Sequence, residues 1–301
     1  MLKIAYSSIY KHTLPKGHRF PMEKYELLPQ QLLHEGSCSE ENFFKPGNPN
    51  MEAILAVHSK EYVNNLLNQT LDRRAVRKIG FPLSKTLVKR EFQIVQGTIE
   101  SAKYALKYGI SMNVAGGTHH AFRNHGEGFC MLNDQAIAAK YLLKNKKSID
   151  KILIIDLDVH QGNGTAKIFQ DNPSVFTFSM HGAGNYPFKK EESDLDIDVP
   201  DGTEDDAYLD QLKSILPKLI EEQNPDFIFY LSGVDILKSD RLGRLNCTVE
   251  GCKERDRFVL QSCKNLGIPV QVAMGGGYST EIKTIVEAHA NTFRLAQDIY
   301  F

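Results

Sequence analysis

Long apolar runs are missing from this chain of 301 residues. The opening MLKIAYSSIYKH is too short in apolar residues for a signal peptide, and no later segment approaches a membrane span. A cytoplasmic protein with no membrane partner is the expectation. An excess of one charge is missing too. The formal net charge is −1 and no long basic run occurs, so nucleic acid is not expected as a direct partner. Cysteine is scarce and odd in number. Cys38, Cys130, Cys247, Cys252 and Cys263 include no CxxC pair, and Cys247 and Cys252 have little claim to pairing. A disulfide framework and a thiolate zinc site are therefore not expected. A metal here would have to rely on His and carboxylates. No linker, repeat or low-complexity tract interrupts the chain from about residue 90 onward, which is read as part of one domain spanning 1–301.

What is present is a 42% hydrophobic chain, long enough for a full core. From about residue 90, β-like runs alternate with helical patterns. EFQIVQGTIESAKYALKYG reads as an amphipathic helix stopped by Gly109, and SMNVA as a short buried strand. LNDQAIAAKYLLKNKK reads as a helix with Asn133 as N-cap. KILIIDLD, VFTFSM, DFIFYLSGVD and IPVQVAMGGG read as strands. Between and after them come a helix behind Thr203 and bent at Pro217, a helix over TVEGCKERDRFVLQSCKNLG, and a helix capped by Ser279. The strands are continuous apolar runs, as burial on both faces requires. The order implies βαβ units, hence an α/β fold of three layers, helices on both faces of a mainly parallel central sheet. Residues 10–50 are rich in turn-formers, with KPGNPN a loop.

In such a sheet, ligands collect beyond the carboxyl ends of the strands. SMNVA is followed there by GGTHHAF with His119 and His120. KILIIDLD delivers Asp156, Asp158 and His160; VFTFSM delivers Ser179, Met180 and His181. DFIFYLSGVD delivers Asp235, and IPVQVAM is followed by Gly275, Gly276, Gly277 and Tyr278. Buried carboxylates are costly unless paired or bound to a cation, and this cluster has no basic residue beside it. Asp and His are both zinc donors, and a catalytic zinc takes three protein ligands with one open position. Asp158 and His160 are two apart and share a face on an extended chain, as does Asp156; Asp235 is the natural third ligand.

GGTHHAF, GFCMLND, DLDVHQGNG, SGVD and GGGY, in that order, resemble the zinc-dependent histone deacetylase family, with its arginase/deacetylase fold. GHRFPMEKY and VHSKEYV extend the likeness over nearly the whole chain, and Asn163 with GFPLSKTLVKREF is most similar to the class IV branch. The resemblance implies that Asp158, His160 and Asp235 hold the metal, zinc or ferrous iron in the cell. It implies that His119 and His120 flank the water and the scissile carbonyl, with Asp156 behind His119, and that Tyr278 donates to the carbonyl oxygen. Gly128, Phe129, Tyr186 and Leu242 would form the substrate channel. A structural potassium or sodium ion would be held by Asp156, Asp158, His160, Ser179 and Met180, and a second such site would lie around Phe169, Asn172 and Val175. The implied activity is removal of acetyl, or longer acyl, groups from protein lysines. Most of the family carries Asp where this chain has Asn163, and Asn lends His120 no charge; the expectation is a lowered His120 pKa that Asn163→Asp would raise.

Blander readings exist for each piece. His119 and His120 could be idle loop residues, Asp156 a turn cap, Asp235 an N-cap, and the glycine triplet a phosphate turn, although it lacks GxGxxG spacing. His125 and His181 read as structural or channel-rim residues. His12, His18, His34, His58 and His289 read as surface or core, His18 in a GHRFP stretch that could border the mouth. The coincidence of five strand ends outweighs these. Three rival functions remain. A ureohydrolase of the arginase type needs acid for a second metal where Gln161, Gly162 and Asn163 stand. A non-catalytic binding module would leave every catalytic position filled for nothing. A deacetylase of acetylpolyamines or other small acetylamines would want acid at the mouth, and KKEESDLDIDVPDGTEDD at 189–206 is acidic. The oligomeric state is left open.

Overall fold

A computed structural model describes all 301 residues. In chain order the elements begin with β1 (Lys3–Ala5), α1 (Lys24–His34), β2 (Phe43–Phe44), α2 (Met51–Val57), α3 (Lys60–Asn68) and α4 (Arg73–Ile79). The middle holds α5 (Lys85–Tyr108), β3 (Ile110–Asn113), α6 (Asp134–Asn145), β4 (Ile152–Asp156), α7 (Asn163–Phe169), β5 (Val175–Gly182) and β6 (Leu195–Val199). The chain ends with α8 (Asp205–Gln223), β7 (Phe227–Leu231), α9 (Val249–Leu266), β8 (Val270–Ala273) and α10 (Ile282–Tyr300).

The strands form one eight-stranded sheet in the order β2-β1-β3-β8-β7-β4-β5-β6, and every neighbouring pair is parallel. The central strands ILIID, FIFYL and VQVA are buried along their whole length, which explains their unbroken apolar runs. Helices α2, α5 and α6 pack together, and α1, α10, α9 and α8 pack together, with β3 touched by both α5 and α10. This is the expected α/β layering. No helix is long and apolar enough to cross a membrane.

Local signals set most helix starts. Asn133 accepts from the Ala136 N–H and Thr248 caps Gly251 N–H, each worth about 1 kcal/mol. Two expected caps are misplaced. Thr203 turns its hydroxyl back to Pro200 O, and α8 starts behind Glu204; Ser279 shares a hydrogen bond with Ser239, and α10 starts behind Glu281. Helix α5 begins at Lys85, earlier than its apolar stripe suggests, because Ser84 caps the Leu87 N–H. The acidic stretch after residue 189 is not all loop. Leu195, Ile197 and Val199 alternate with Asp196 and Asp198 in the edge strand β6, whose polar half disguised it. All five cysteines are buried and free.

Candidate metal centre and substrate cavity

Parallel strands deliver their successors to one edge, and five of them converge there. Strand β4 ends at Asp156, so the even-parity argument for Asp156, Asp158 and His160 stops at the first of them. Asp158 and His160 lie in the turn that follows. That turn is tied down by backbone donors: Asp158 N–H to Asp156 Oδ1 (3.1 Å), Val159 N–H to Asp235 Oδ1 (2.9 Å) and His160 N–H to Asp158 Oδ1 (3.0 Å). The result brings donor atoms of Asp158, His160 and Asp235 within 4.8 Å of one another, all buried. His160 Nδ1 lies 3.0 Å from Asp158 Oδ1 and 3.2 Å from Asp235 Oδ2.

The donor set fits a divalent cation. Asp235 Oδ2 is buried and makes no well-formed hydrogen bond, His160 Nδ1 at 3.2 Å being the donor that faces it. Burial and the neighbouring Asp158 charge push the Asp235 carboxyl up to about 7, a repulsion that a cation between them relieves. A side chain on Gly276 would fall 2.1 Å from Asp235 Oδ2, and the bare Gly276 N–H instead reaches Asp158 Oδ2 at 2.9 Å. The glycine triplet thus serves close approach to the carboxylates, not phosphate.

Arg255 on α9 holds the two acidic turns in place. It is fully buried and donates from Nη1 to Leu157 O (3.2 Å) and Gly233 O (2.6 Å), each near an acid of the triad. Its charge is balanced by Asp256 at 2.8 Å, which also accepts from Tyr230 and Thr292. Sequence inspection missed this residue, since a buried arginine on a helix far along the chain leaves no local mark.

His119 and His120 stand side by side, ring centroids 4.1 Å apart. His119 Nδ1 faces Asp156 Oδ2 at 2.6 Å. Burial alone would lower the His119 pKa, but Asp156 and then Asp158 outweigh it and raise it. His120 Nδ1 faces Asn163 Oδ1 at 2.7 Å, and Asn163 Nδ2 donates to Glu127 Oε1 at 2.7 Å. Glu127, ion-paired to Lys78, accepts only, so it fixes which way the Asn163 amide points. The amide oxygen then requires a proton on His120 Nδ1 and leaves Nε2 as the lone-pair nitrogen. Burial, followed by His119 and His160, holds the His120 pKa well below the usual imidazole range.

A cavity of about 530 Å³ opens over these groups. His119, His120, Asp158, His160 and Tyr278 line it, together with Gly128, Phe129, Tyr186 and Leu242. Gly128 and Phe129 have φ of 56° and 68°, and their N–H groups bind Lys78 O and Ile79 O. A non-glycine residue in that region is strained, and here it sets the Phe129 ring 5.9 Å from that of Tyr278. Phe20 packs on both rings, at 5.2 and 5.8 Å. Asp240 accepts the Tyr278 N–H at 2.5 Å. Burial, then the charges of Asp158 and Asp235, keep the Tyr278 hydroxyl protonated far above its ordinary range.

The other singled-out residues have local tasks. Ser179 pairs in register with Asp156, and its hydroxyl bonds His181 Nδ1 at 2.9 Å. Met180 is buried on β5. Phe169, Asn172 and Val175 close a turn on their own backbone. His18 bonds Gly80 O and stacks on Phe81, and His125 stacks on Phe122. His58 and His289 are core residues, while Arg19, Lys78 and Arg244 line the cavity without having been expected there.

A family model described as histone deacetylase domain matches residues 18–293. An uncharacterized protein of Picosynechococcus sp. is 44% identical over 297 residues, covering 99% of each chain. Histone deacetylase 2 of Arabidopsis thaliana is 30% identical over 97% of this chain and 79% of its own length. Among solved structures, an HDAC homolog complexed with SAHA matches with a TM-score of 0.85 and 25% identity, over 99% of this chain and 84% of that one.

Proposed function

The chain belongs to the histone deacetylase family, and from that premise we propose that it is a zinc-dependent amidohydrolase removing acetyl groups from protein lysine side chains, its 301 residues forming one catalytic domain. The observation that carries this reading is the buried Asp158, His160, Asp235 cluster at the floor of an aromatic-walled cavity. Those three residues would hold the metal. When bound, a divalent ion supplies polarisation of the amide carbonyl and a lowered pKa for water.

The remaining steps fall to side chains. His120, neutral and with Nε2 free, takes the proton of the attacking water as the C–O bond forms. The same proton passes to the amine nitrogen as the C–N bond breaks, giving carboxylic acid and neutral lysine amine, and the acid's remaining proton then passes to the amine to leave carboxylate and lysine ammonium. His119, held by Asp156, keeps its own proton and steadies negative charge beside the reacting centre. The Tyr278 hydroxyl donates to the carbonyl oxygen as charge develops there. Phe129, Tyr186 and Leu242 exclude water from the aliphatic part of the acyl-lysine, and Gly128 lets that chain pass close to His120. A potassium or sodium ion near Asp156, Ser179 and Met180 would be structural. The SAHA complex of the structural neighbour supports an acyl-lysine-like ligand in this cavity.

The test is a panel of acetyl-lysine and long-acyl-lysine peptides with and without chelator. Chelator-sensitive release of acetate is the expected result. Hydrolysis that ignores the chelator, or a metal-loaded enzyme inert toward every peptide, refutes the proposal.

A further inference from the structure

The charged side chains that line the cavity are mostly basic. The basic residues lining the cavity are Arg19, Lys78, Arg90 and Arg244, and its single carboxylate is Asp158, at the floor. Three of the four cations are already matched. Arg90 is buried against Glu91, Lys78 is paired with Glu127, and Arg244 lies 3.2 Å from Asp201. Arg19 is exposed and makes no ion pair; its guanidinium sits 5.0 Å from the Phe129 ring centroid. Arg241 stands next to it, Nη2 3.4 Å from Arg19 O, and has no acidic partner either.

The acidic stretch at 189–206 does not offset this. Asp194 is engaged by the Thr177 N–H and hydroxyl at 2.7 and 2.8 Å. Asp196 accepts from Gln161 and Ser193, Asp198 faces His181 at 3.1 Å, and Asp201 is taken by Gly184 and Arg244. These carboxylates belong to the β6 edge of the sheet and its flanking turns, and none lines the cavity. The feature that would suit a polycation is therefore absent from the mouth, and an unpaired guanidinium stands there instead.

We propose that this site is built for an acyl-lysine with an aspartate or glutamate beside it in the polypeptide, the flanking carboxylate being received by Arg19. The inference rests on the acyl-lysine reading above and adds the substrate's charge. A guanidinium over an aromatic face keeps its donors pointing outward and matches a carboxylate in two parallel hydrogen bonds. Acetylpolyamines and strongly basic peptides meet like charge at the same place.

The experiment compares kcat/KM for acetyl-lysine peptides that differ only in flanking residues, Asp, Ala or Lys, with a monoacetylated polyamine alongside. The expected order is Asp above Ala above Lys, with an Asp-to-Lys ratio of about ten-fold at low ionic strength. That ratio should shrink several-fold at about 0.5 M salt. Arg19→Gln should bring the ratio close to one, Arg19→Lys should retain most of it, and Arg19→Glu should invert it. Because the ratio is internal to each variant, a general loss of activity does not obscure the result. Equal or faster turnover of the Lys-flanked peptide or the acetylpolyamine by the unmodified enzyme overturns the inference, as does a ratio untouched by Arg19→Glu. Turnover without charge preference removes this inference alone, whereas no turnover of any peptide removes the deacetylase reading with it.

Discussion

Replacing Asn163 by Asp tests the proton arrangement around His120. The substitution looks conservative, but here its neighbour makes it costly. Asn163 Nδ2 now donates to Glu127 Oε1 at 2.7 Å, and both residues are buried. A carboxylate in its place puts two acceptor oxygens roughly 3 Å apart, a repulsion of about 5–6 kcal/mol at an effective dielectric of about 20. Trapping one proton between them caps the cost at about 4 kcal/mol at neutral pH. Lys78 on the far side of Glu127 takes off part of this. Asn163→Asp alone should therefore lose about 2–4 kcal/mol in urea unfolding. Adding Glu127→Gln restores a donor and should recover most of that loss. In the double variant the carboxylate introduced at position 163 faces His120 with a full charge, which favours the imidazolium. The base is then free only at higher pH, so the acid limb of the kcat/KM profile should move up relative to the unmodified enzyme. A single variant as stable as the parent, together with a double variant whose acid limb has not moved, would refute the reasoning.

Four further outcomes follow from other contacts. Tyr278→Phe should keep its metal content and lose about 10²–10³ in kcat, since only the oxyanion donor is removed. Asp235→Asn should leave the metal-free protein as stable as before or more so, by removing the repulsion with Asp158. Its metal affinity should fall by more than the roughly 10–100-fold that a supporting residue costs, and titration with zinc reads both effects apart. Arg255→Met strands Asp256 in the core and frees the two acidic turns; the expected loss is about 3–5 kcal/mol in denaturant, with weaker metal retention. His58 donates from Nδ1 to Phe122 O and accepts the Asn133 N–H at Nε2, so it has no room for a second proton. Burial holds its pKa down at about 4, below its unfolded value. Its contribution is complete above about pH 6.5 and is lost as pH falls toward 4, worth about 3 kcal/mol in full. His58→Gln should flatten the stability-versus-pH curve over that window, and parallel curves for the two proteins would count against the assignment.

The legibility of the fold tracks how locally it is encoded. The central strands announce themselves because residues such as Ile152–Ile155 and Phe227–Leu231 are apolar on both faces, a condition met only inside a covered parallel sheet. Strands β1 and β2 are three and two residues long; β1 exists because β3 offers an edge to pair with, and β2 because β1 then offers its own, so neither carries a pattern of its own. Strand β6 fails for the opposite reason, since an edge strand keeps a polar face. The missed caps share one cause: Thr203 and Ser279 have the right chemistry for an N-cap but found tertiary or turn partners first.

The donor set and the electrostatics of the site divide along the same line. A parallel sheet brings the residues after its strand ends to one edge, so Asp158, His160, Asp235, His119, His120 and Tyr278 could be singled out without coordinates. What tunes them comes from elsewhere in the chain. Glu127 fixes the Asn163 amide, Arg255 pins the turns before Asp158 and Asp235, and Asp240 takes the Tyr278 backbone, each from a distant stretch of sequence. The charge at the mouth is of this second kind. KKEESDLDIDVPDGTEDD is acidic in sequence, yet folding sets Asp194, Asp196 and Asp198 along the sheet edge and pairs Asp201 with Arg244, so no carboxylate of the stretch lines the cavity, where Arg19 stands without an ion pair. A linear charge pattern cannot report which charges will face a cavity and which will face away, and the preference proposed for an acidic neighbour depends on that placement.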